Sequence, residues 1–242
     1  HHAAFALIHL MTRARGQWRA LLAAAAFVVA ALIATHLALG ASLTVNTTSD
    51  VSDGTTTSIA DLIASPGTDG VISLREAITA ANNTNGGPHT INFNIGSCGG
   101  VCTISPTSAL PTITTAVIID GWSQPGWVSA PLIELNGTSA GASSGLQLSI
   151  SGNTVRGLII NRFAQYGILI NSGSNNNTIH GNYLGTDSTG LLDQGNGLSG
   201  IRITTATGNQ IGGTGSTQRN VISGNGTTAT VTHNGIYLDT SA

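Results

Sequence analysis

The chain has 242 residues, of which 40% are hydrophobic and only 7% are charged, with 32 glycines, no lysine and a formal net charge of −2. Ordinary globular domains carry about 25% charged residues, so Ser, Thr, Asn and Gly must solvate most of this surface. A lysine-free, mildly acidic chain lacks the basic surface that nucleic acids require, and no nucleic-acid partner is expected.

Residues 11–40 have the pattern of a secretory signal. An Arg-rich segment that starts at Met11 leads into the apolar run 20–34, and small residues at Ala38 and Gly40 provide a cleavage site. We therefore predict a signal peptide over 11–40 and a secreted, extracellular or cell-surface location. The alternative is an uncleaved membrane anchor, because the run is nearly long enough to span a bilayer. Only this leader would contact a membrane, and residues 1–10 have no assigned role.

Residues 41–90 are predicted to form an N-terminal cap. Residues 42–46 alternate as a strand, and 50–69 reads as a polar loop interrupted by the apolar run 59–63. Calcium prefers oxygen ligands, but the acidic residues of this loop match no calcium-binding spacing. We predict that they are turn residues, with calcium as the alternative: Asp50, Asp53, Asp61 and Asp69.

One helix is predicted after the leader, over residues 73–82. Ser73 and Glu76 form a capping box, in which each side chain accepts a hydrogen bond from the other residue's backbone amide. Arg75 and Glu76 are expected in a solvated first turn. Apolar residues then follow at helical spacing as a narrow stripe that needs a surface to cover, namely Leu74, Ala77, Ile78 and Ala81. We expect this helix to cover the first strands of the domain that follows.

The two cysteines, Cys98 and Cys102, lie in a turn between strand-like runs. After export, a disulfide between them is the expected state. A metal site would need more ligands than the nearby His89 supplies, so no metal is predicted there.

Two tryptophans follow in the segment D-G-W-S-Q-P-G-W, at Trp122 and Trp127. An indole has a large apolar face and a polar N–H, so these rings are candidates for stacking on a sugar. Packing of a long turn against the strands is the alternative.

From residue 145 onward, a glycine followed by alternating apolar residues returns four times, at Gly145, Gly167, Gly200 and Gly235. A second phrase opens with asparagine, at Asn153, Asn177 and Asn220. The alternation predicts two or three short strands per repeat, and repeats of this length are typical of a solenoid. Stacked in parallel about 4.8 Å apart, the alternate aliphatic residues, Ile150 included, would form a core. The asparagines would bond between repeats.

Several stretches resemble secreted bacterial right-handed parallel β-helix proteins that begin with a CSLREA-type element, named for its Cys-Ser-Leu-Arg-Glu-Ala core. Residues 69–83 read D-G-V-I-S-L-R-E-A-I-T-A-A-N-N, with Ile72 where that family usually has cysteine. Further similar stretches begin at Ile91, Leu110, Ile118, Asn182 and Arg219. The resemblance implies a pectate-lyase-like superfold, an all-β, right-handed parallel β-helix with a short N-terminal capping helix. It implies little about activity.

Residues 91–242 are therefore predicted to be parallel β-helix coils. A new coil begins at Gly235, and the sequence contains no matching second cap. We expect the natural protein to continue beyond this point.

The outward residues of one strand in each repeat stack into two columns. The columns are Gln147, Leu169, Arg202, Tyr237 and Ser149, Asn171, Thr204, Asp239. The β-helix enzymes that the resemblance points to use a basic residue to abstract a proton and carboxylates as acid, base or calcium ligands. Arg202 and Asp239 are the catalytic candidates and Tyr237 a sugar-stacking platform. The alternative is a structural ion pair between Arg202 and Asp239.

Two further sets of polar residues lie on the repeats. Asp187 and Asp193 flank an inserted loop and are candidates for binding sugar hydroxyls or calcium; a solvated turn is the alternative. Arg156 and His180 share the outward position of the second phrase with Ser223, which implies no acid–base pair.

Taken together, the patterns favour a secreted or cell-surface scaffold, structural or adhesive, whose partner is a polysaccharide or cell-surface glycan. The alternative is a polysaccharide lyase, glycoside hydrolase or epimerase on the same fold. No cofactor is predicted, and calcium stays open.

Overall fold

The computed structural model describes residues 40–96, 98–227 and 234–239. The predicted leader lies outside these residues, except for Gly40, as do residues 1–10. Within the described part of the chain, no helix is long and apolar enough to cross a membrane.

Short β-strands dominate the regular structure, because alternating aliphatic residues are interrupted every few positions by glycine and asparagine. The described residues form fifteen strands: β1 (Ser42–Val45), β2 (His89–Phe93), β3 (Cys102–Ile104), β4 (Val117–Asp120), β5 (Ile133–Asn136), β6 (Leu146–Leu148), β7 (Thr154–Arg156), β8 (Leu158–Asn161), β9 (Ile168–Ile170), β10 (Thr178–His180), β11 (Tyr183–Leu184), β12 (Ile201–Thr204), β13 (Gln210–Ile211), β14 (Val221–Ile222) and β15 (Ile236–Asp239).

The strands form three sheets, in which every pair of neighbouring strands is parallel. Sheet A has the order β1-β2-β4-β7-β10-β13, sheet B has β14-β11-β8-β5-β3, and sheet C has β15-β12-β9-β6. From β4 onward the chain visits A, B and C in turn, so that β7, β8 and β9 form one circuit and β10, β11 and β12 the next. The prediction of a mostly-β chain of parallel strands with few helices is confirmed.

Alternation decides which side chains enter the core. In sheet C, the inward residues form two rows across β6, β9 and β12, Leu146, Ile168, Ile201 and Leu148, Ile170, Ile203, and all six are buried. Inward residues of all three sheets share one hydrophobic core. Burying each aliphatic side chain contributes roughly 1.5–3 kcal/mol. Ile150, expected in this core, is 37% exposed because it follows the end of β6.

Asparagines at the corners before sheet A join successive circuits. The Oδ1 atom of Asn177 accepts hydrogen bonds from the backbone N–H and the side-chain amide of Asn153, both at 2.8 Å. In turn, Asn177 donates from the same two groups to Oδ1 of Asn209, both at 2.9 Å. Each ladder therefore satisfies buried amides of one circuit with a side-chain oxygen of the next.

Two further asparagine ladders join successive circuits at other corners. Asn182 donates to Oδ1 of Asn220, and Asn196 donates to Oδ1 of Asn225. The alignment of Asn220 with Asn153 and Asn177 was wrong, because β14, which follows Asn220, lies in sheet B. For the same reason Ser223 does not continue the column of Arg156 and His180.

Two helices lie near the first strand, α1 (Ile59–Ala64) and α2 (Leu74–Asn82). The capping box at the start of α2 is present, with both reciprocal hydrogen bonds, and the predicted apolar stripe of α2 is buried. The sequence prediction missed α1, which begins after the N-cap Ser58 and buries Ile59 and Leu62. Three 3₁₀ helices complete the described regular structure, at Gly121–Ser123, Gly137–Ser139 and Ser216–Gln218.

Candidate functional site

The outward face of sheet C has the predicted columns. Leu169 pairs with Gln147 on one side and with Arg202 on the other, and Arg202 pairs with Tyr237. All four side chains are partly exposed. In the neighbouring column, Thr204 pairs with Asp239, and the side-chain amide of Asn171 donates to the Ser149 hydroxyl. The result is a surface of amides, hydroxyls, one aliphatic residue, one tyrosine and one ion pair, which we call the sheet C face.

Arg202 is the centre of this face. Its Nη1 donates to the phenol oxygen of Tyr166 at 2.9 Å, and its Nη2 donates to the carboxylate of Asp239. The guanidinium carbon lies 5.3 Å from the ring centroid of Tyr166 and 5.7 Å from that of Tyr237. Both distances are within the range of a cation–π contact. The two tyrosines therefore flank an arginine that is already paired, which is the structural alternative foreseen for Arg202 and Asp239.

The charge state of Arg202 restricts its chemistry. The hydrogen bond that Arg202 donates to the Asp239 carboxylate raises the pKa of the Arg202 guanidinium; burial lowers this pKa, and Tyr166 raises it further. A proton-abstracting base must be able to lose its proton in the resting state. The contacts of Arg202 stabilise the protonated form and favour binding over base catalysis.

Tyr166 borders the sheet C face, and the sequence patterns missed it. It lies in the turn before β9, one position before Gly167, where side-chain alternation has not yet begun. A tyrosine next to a repeat glycine is the only signal that the sequence offers for it.

The two tryptophans lie on sheet A instead. The rings of Trp122 and Trp127 are stacked with centroids 5.1 Å apart, and His180 lies 4.9 Å from Trp122. The guanidinium of Arg156 lies 4.8 Å over the Trp122 ring and donates to both carboxylate oxygens of Asp120. Trp122 thus contacts the outward side chains of neighbouring strands.

Backbone contacts show why Trp122 fits here. A Cβ atom added to Gly157 would lie 2.4 Å from this ring, and one added to Gly181 would lie 2.7 Å from it; both glycines have positive φ. Nε1 of Trp127 is buried, so it is not presented to a ligand. The arrangement matches the packing alternative for both indoles. Burial and the charge of Arg156 lower the pKa of His180, although the charge of Asp120 raises it. The lowered pKa favours a neutral imidazole.

Asp187 and Asp193 lie on a short hairpin, in which Thr186 and Asp193 form an antiparallel bridge. Oδ1 of Asp187 accepts from the backbone N–H of Leu191 at 3.2 Å and of Leu192 at 3.1 Å. Oδ1 of Asp193 accepts from Gly195. Both carboxylates therefore organise turns, and the pKa of Asp187 is lowered chiefly by the Thr189 hydroxyl.

The acidic residues of the N-terminal region also have local partners. Asp53 accepts from Thr68, Asp61 from Thr57 and Ser58, and Asp69 from Val71, whereas Asp50 pairs with Arg75. Among the described residues, no group of three or more His, Cys, Asp or Glu is placed to hold a metal ion. Cys98 and Cys102 are joined by a disulfide.

Arg75 and Glu76 do not lie in a solvated turn, contrary to expectation. The Arg75 guanidinium donates to both carboxylate oxygens of Asp50. Glu76 is 1% exposed, and its carboxylate accepts from the backbone N–H groups of Ser73, Asp53 and Gly54. A buried carboxylate with three amide donors holds the preceding loop against α2.

One further carboxylate, Glu134, lies on sheet B. It accepts from the Thr103 hydroxyl at 2.6 Å and from the Asn161 amide at 2.8 Å, with Nη1 of Arg162 at 3.6 Å. Sequence reasoning did not select it, because a single glutamate in a strand gives no pattern.

No family model, curated protein or solved structure matches this chain.

Proposed function

We propose that the chain is a secreted or cell-surface right-handed parallel β-helix, with a CSLREA-type N-terminal cap, that binds glycan on the sheet C face. The circuit order A, B, C and the uniformly parallel pairing support a solenoid. The bacterial origin and the export rest on the leader pattern of residues 11–40 and on the resemblance of the cap. The scaffold serves adhesion or display.

The single observation that supports glycan binding best is the position of Arg202 between Tyr166 and Tyr237. Tyrosine and arginine are typical of binding hot spots, because they offer large, oriented contact area. Neighbouring Gln147, Asn171 and Thr204 supply hydrogen-bond partners for sugar hydroxyls.

The charge of this face favours sugars without an ionic group. Asp239 compensates Arg202 directly, so the face offers no uncompensated charge for a uronic acid to pair with. Stacking on the tyrosines and neutral hydrogen bonds are the contacts that remain. We propose a neutral polysaccharide or cell-surface glycan as the ligand class.

Catalysis is supported less well than binding. A lyase or hydrolase of this kind needs a free base or a pair of carboxyl groups on either side of the scissile bond. On the sheet C face the single carboxylate, Asp239, is occupied by Arg202, whose own pKa is raised. Enzymatic activity is therefore kept as an alternative result of the polysaccharide test described next.

The test is binding of the full-length protein to a panel of neutral and acidic polysaccharides, measured by glycan array and by isothermal titration. We expect binding to neutral glycans, weakened about tenfold or more by Tyr237→Ala, because an aromatic hot spot commonly contributes about 2 kcal/mol or more. Tyr166→Ala should act in the same direction.

Tyr183→Ala is the matched control, since Tyr183 is also a partly exposed strand tyrosine but belongs to sheet B. It should leave glycan binding unchanged. Equal losses in all three variants, or no binding to any glycan, would contradict the proposal. Release of reducing or unsaturated sugars, abolished by Arg202→Ala, would establish the enzyme alternative instead.

A further inference from the structure

Among the described residues, one strand of each sheet lies at the same end of the stacked strands, which we call the open end. It consists of β13 in sheet A, β14 in sheet B and β15 in sheet C. On β15, Ile236 is 41% exposed and Leu238 is 62% exposed, whereas their register partners Ile201 and Ile203 are buried. The aliphatic rows of the core therefore continue to this end and are presented there to solvent.

Two cavities adjoin the same apolar residues. One of about 270 Å³ is lined by residues that include Ile203, Ala206 and Leu238. Another of about 350 Å³ is lined by residues that include Ile222 and Ile236. Both are large enough to accept aliphatic side chains, and both lie where a further circuit would place its inward residues.

Asn209 adds a polar signal to this apolar surface. In the ladder below it, each asparagine donates its side-chain amide to Oδ1 of the asparagine of the next circuit, as Asn153 and Asn177 do. The Nδ2 atom of Asn209 is buried and has no hydrogen-bond partner in the described part of the chain. A buried amide donor without an acceptor costs about 1–3 kcal/mol, so this position favours an incoming oxygen.

We propose that the open end binds a further polypeptide segment that adds parallel strands to β13, β14 and β15. Two features define its chemistry. It carries aliphatic residues at alternate positions, which pack on Ile236 and Leu238, and an asparagine whose side-chain oxygen accepts from Asn209. We choose this partner because it would extend contacts that already join the circuits. The same aliphatic row of sheet C and the same asparagine ladder connect every pair of neighbouring circuits between β7 and β13. Addition of strands to a sheet edge is a common mode of peptide recognition.

This surface is separate in chemistry from the sheet C face. The open end uses inward residues and strand edges, whereas glycan binding uses the outward residues Arg202 and Tyr237. A result on one surface therefore leaves the other undecided.

The test uses the 242-residue chain and a labelled peptide of residues 174–206, which contains one complete circuit with Asn177, Ile201 and Ile203. Fluorescence anisotropy measures the dissociation constant, and thermal unfolding measures the shift in Tm. We expect saturable binding and a higher Tm with the peptide present, because a ligand that binds only the native state stabilises it.

Leu238→Asp in the protein should weaken binding at least about tenfold, since it places a carboxylate against aliphatic residues. The matched control is Leu191→Asp, because Leu191 is 84% exposed but lies on the hairpin. It should bind the peptide as the wild type does. In the peptide, Asn177→Ala should weaken binding about two- to tenfold by removing the acceptor for Asn209.

Several outcomes would overturn the proposal. These are the absence of peptide binding, equal binding to both leucine variants, and a wild-type dimer in sedimentation analysis that Leu238→Asp makes monomeric. The last would identify a second copy of the chain as the partner. Leu238 is already exposed, so its replacement is compatible with folding, and Ile236→Asn provides a second variant of the same surface.

Discussion

The strands at the two ends of the stack have the same alternating sequence pattern, but their aliphatic side chains differ in burial. At the end that we call the covered end, β1 carries Leu43 and Val45 at alternate positions, and they are 3% and 0% exposed. At the open end, β15 carries Ile236 and Leu238 at alternate positions, and they are 41% and 62% exposed. Alternation therefore determines which face of a strand points inward, while burial depends on what lies over the strand.

At the covered end, two short helices supply that cover. α1 buries Ile59 and Leu62, and α2 buries Leu74 and Ile78, so both helices add to the same core as β1. Both helices are short, and polar contacts hold them in place. The Thr84 hydroxyl accepts from the first amide of α1, and the Glu76 carboxylate accepts from the loop before it. A helix of six residues is not stable alone, so the cover forms only together with the strand it packs on.

The largest difference between the ends should appear in Leu43→Ala and Leu238→Ala. Leu43→Ala removes a buried side chain beneath the helices and should cost about 2–5 kcal/mol in the free energy of unfolding. Leu238→Ala trims an exposed side chain and should cost less than about 1 kcal/mol. Urea denaturation followed by far-UV circular dichroism measures both values. Similar losses for the two variants would show that the open end is as well covered as the other.

A second difference concerns the two glutamates of the chain, Glu76 and Glu134. Glu76→Gln replaces one oxygen of a buried carboxylate by an NH₂ group that faces amide donors, so we expect a loss of about 2–4 kcal/mol. Glu134→Gln is the matched control. Its side chain is 14% exposed and contacts one hydroxyl, one side-chain amide and, at 3.6 Å, the partly exposed Arg162 guanidinium. We therefore expect Glu134→Gln to cost about 1 kcal/mol. Urea denaturation gives both losses in free energy of unfolding, provided that the m-value does not change. A larger loss for Glu134→Gln would contradict the assignment of Glu76 as the residue that holds the loop at the covered end.

The sequence predicted the parts of this structure that depend on local pattern. Alternation identified the inward rows around Ile168 and Ile201, and the capping box at Ser73 located the start of α2. The sequence did not reveal α1, because six residues in a loop rich in threonine and serine are too few for helical periodicity. It misaligned Asn220, because all corner asparagines look alike in one dimension and only the sheet order separates the ladders.

The candidate site was less predictable for a related reason. The pairing of Arg202, Tyr237 and Asp239 follows from repeat spacing and could be read from the sequence. Tyr166 reaches Arg202 from a turn, and turns have no alternation to follow. Packing of Trp122 against Gly157 depends on a positive-φ corner that follows three strands later in the sequence, which composition does not encode.

The smallest expected effect at the covered end is a loss of stability in acid, which we assign to Asp50. The carboxylate of Asp50 accepts from Arg75 and from the backbone N–H of Thr107. Burial raises the pKa of Asp50, but these hydrogen bonds and the charge of Arg75 outweigh it and bring the pKa below the ordinary value of 3.8. A depressed pKa in the folded state means that the contribution of Asp50 to stability is present above pH 3.8 and is lost as the pH falls through the folded-state value.

Asp50→Asn should therefore lower the urea midpoint at pH 7. The difference in midpoint between wild type and variant should narrow as the pH falls below 3.8, because the wild type then loses its charged contact as well. A gap for Asp50→Asn that stays constant over this pH range would mean that the contact with Arg75 does not hold the loop at the covered end. The stability of that end would then rest on Glu76 and apolar packing alone.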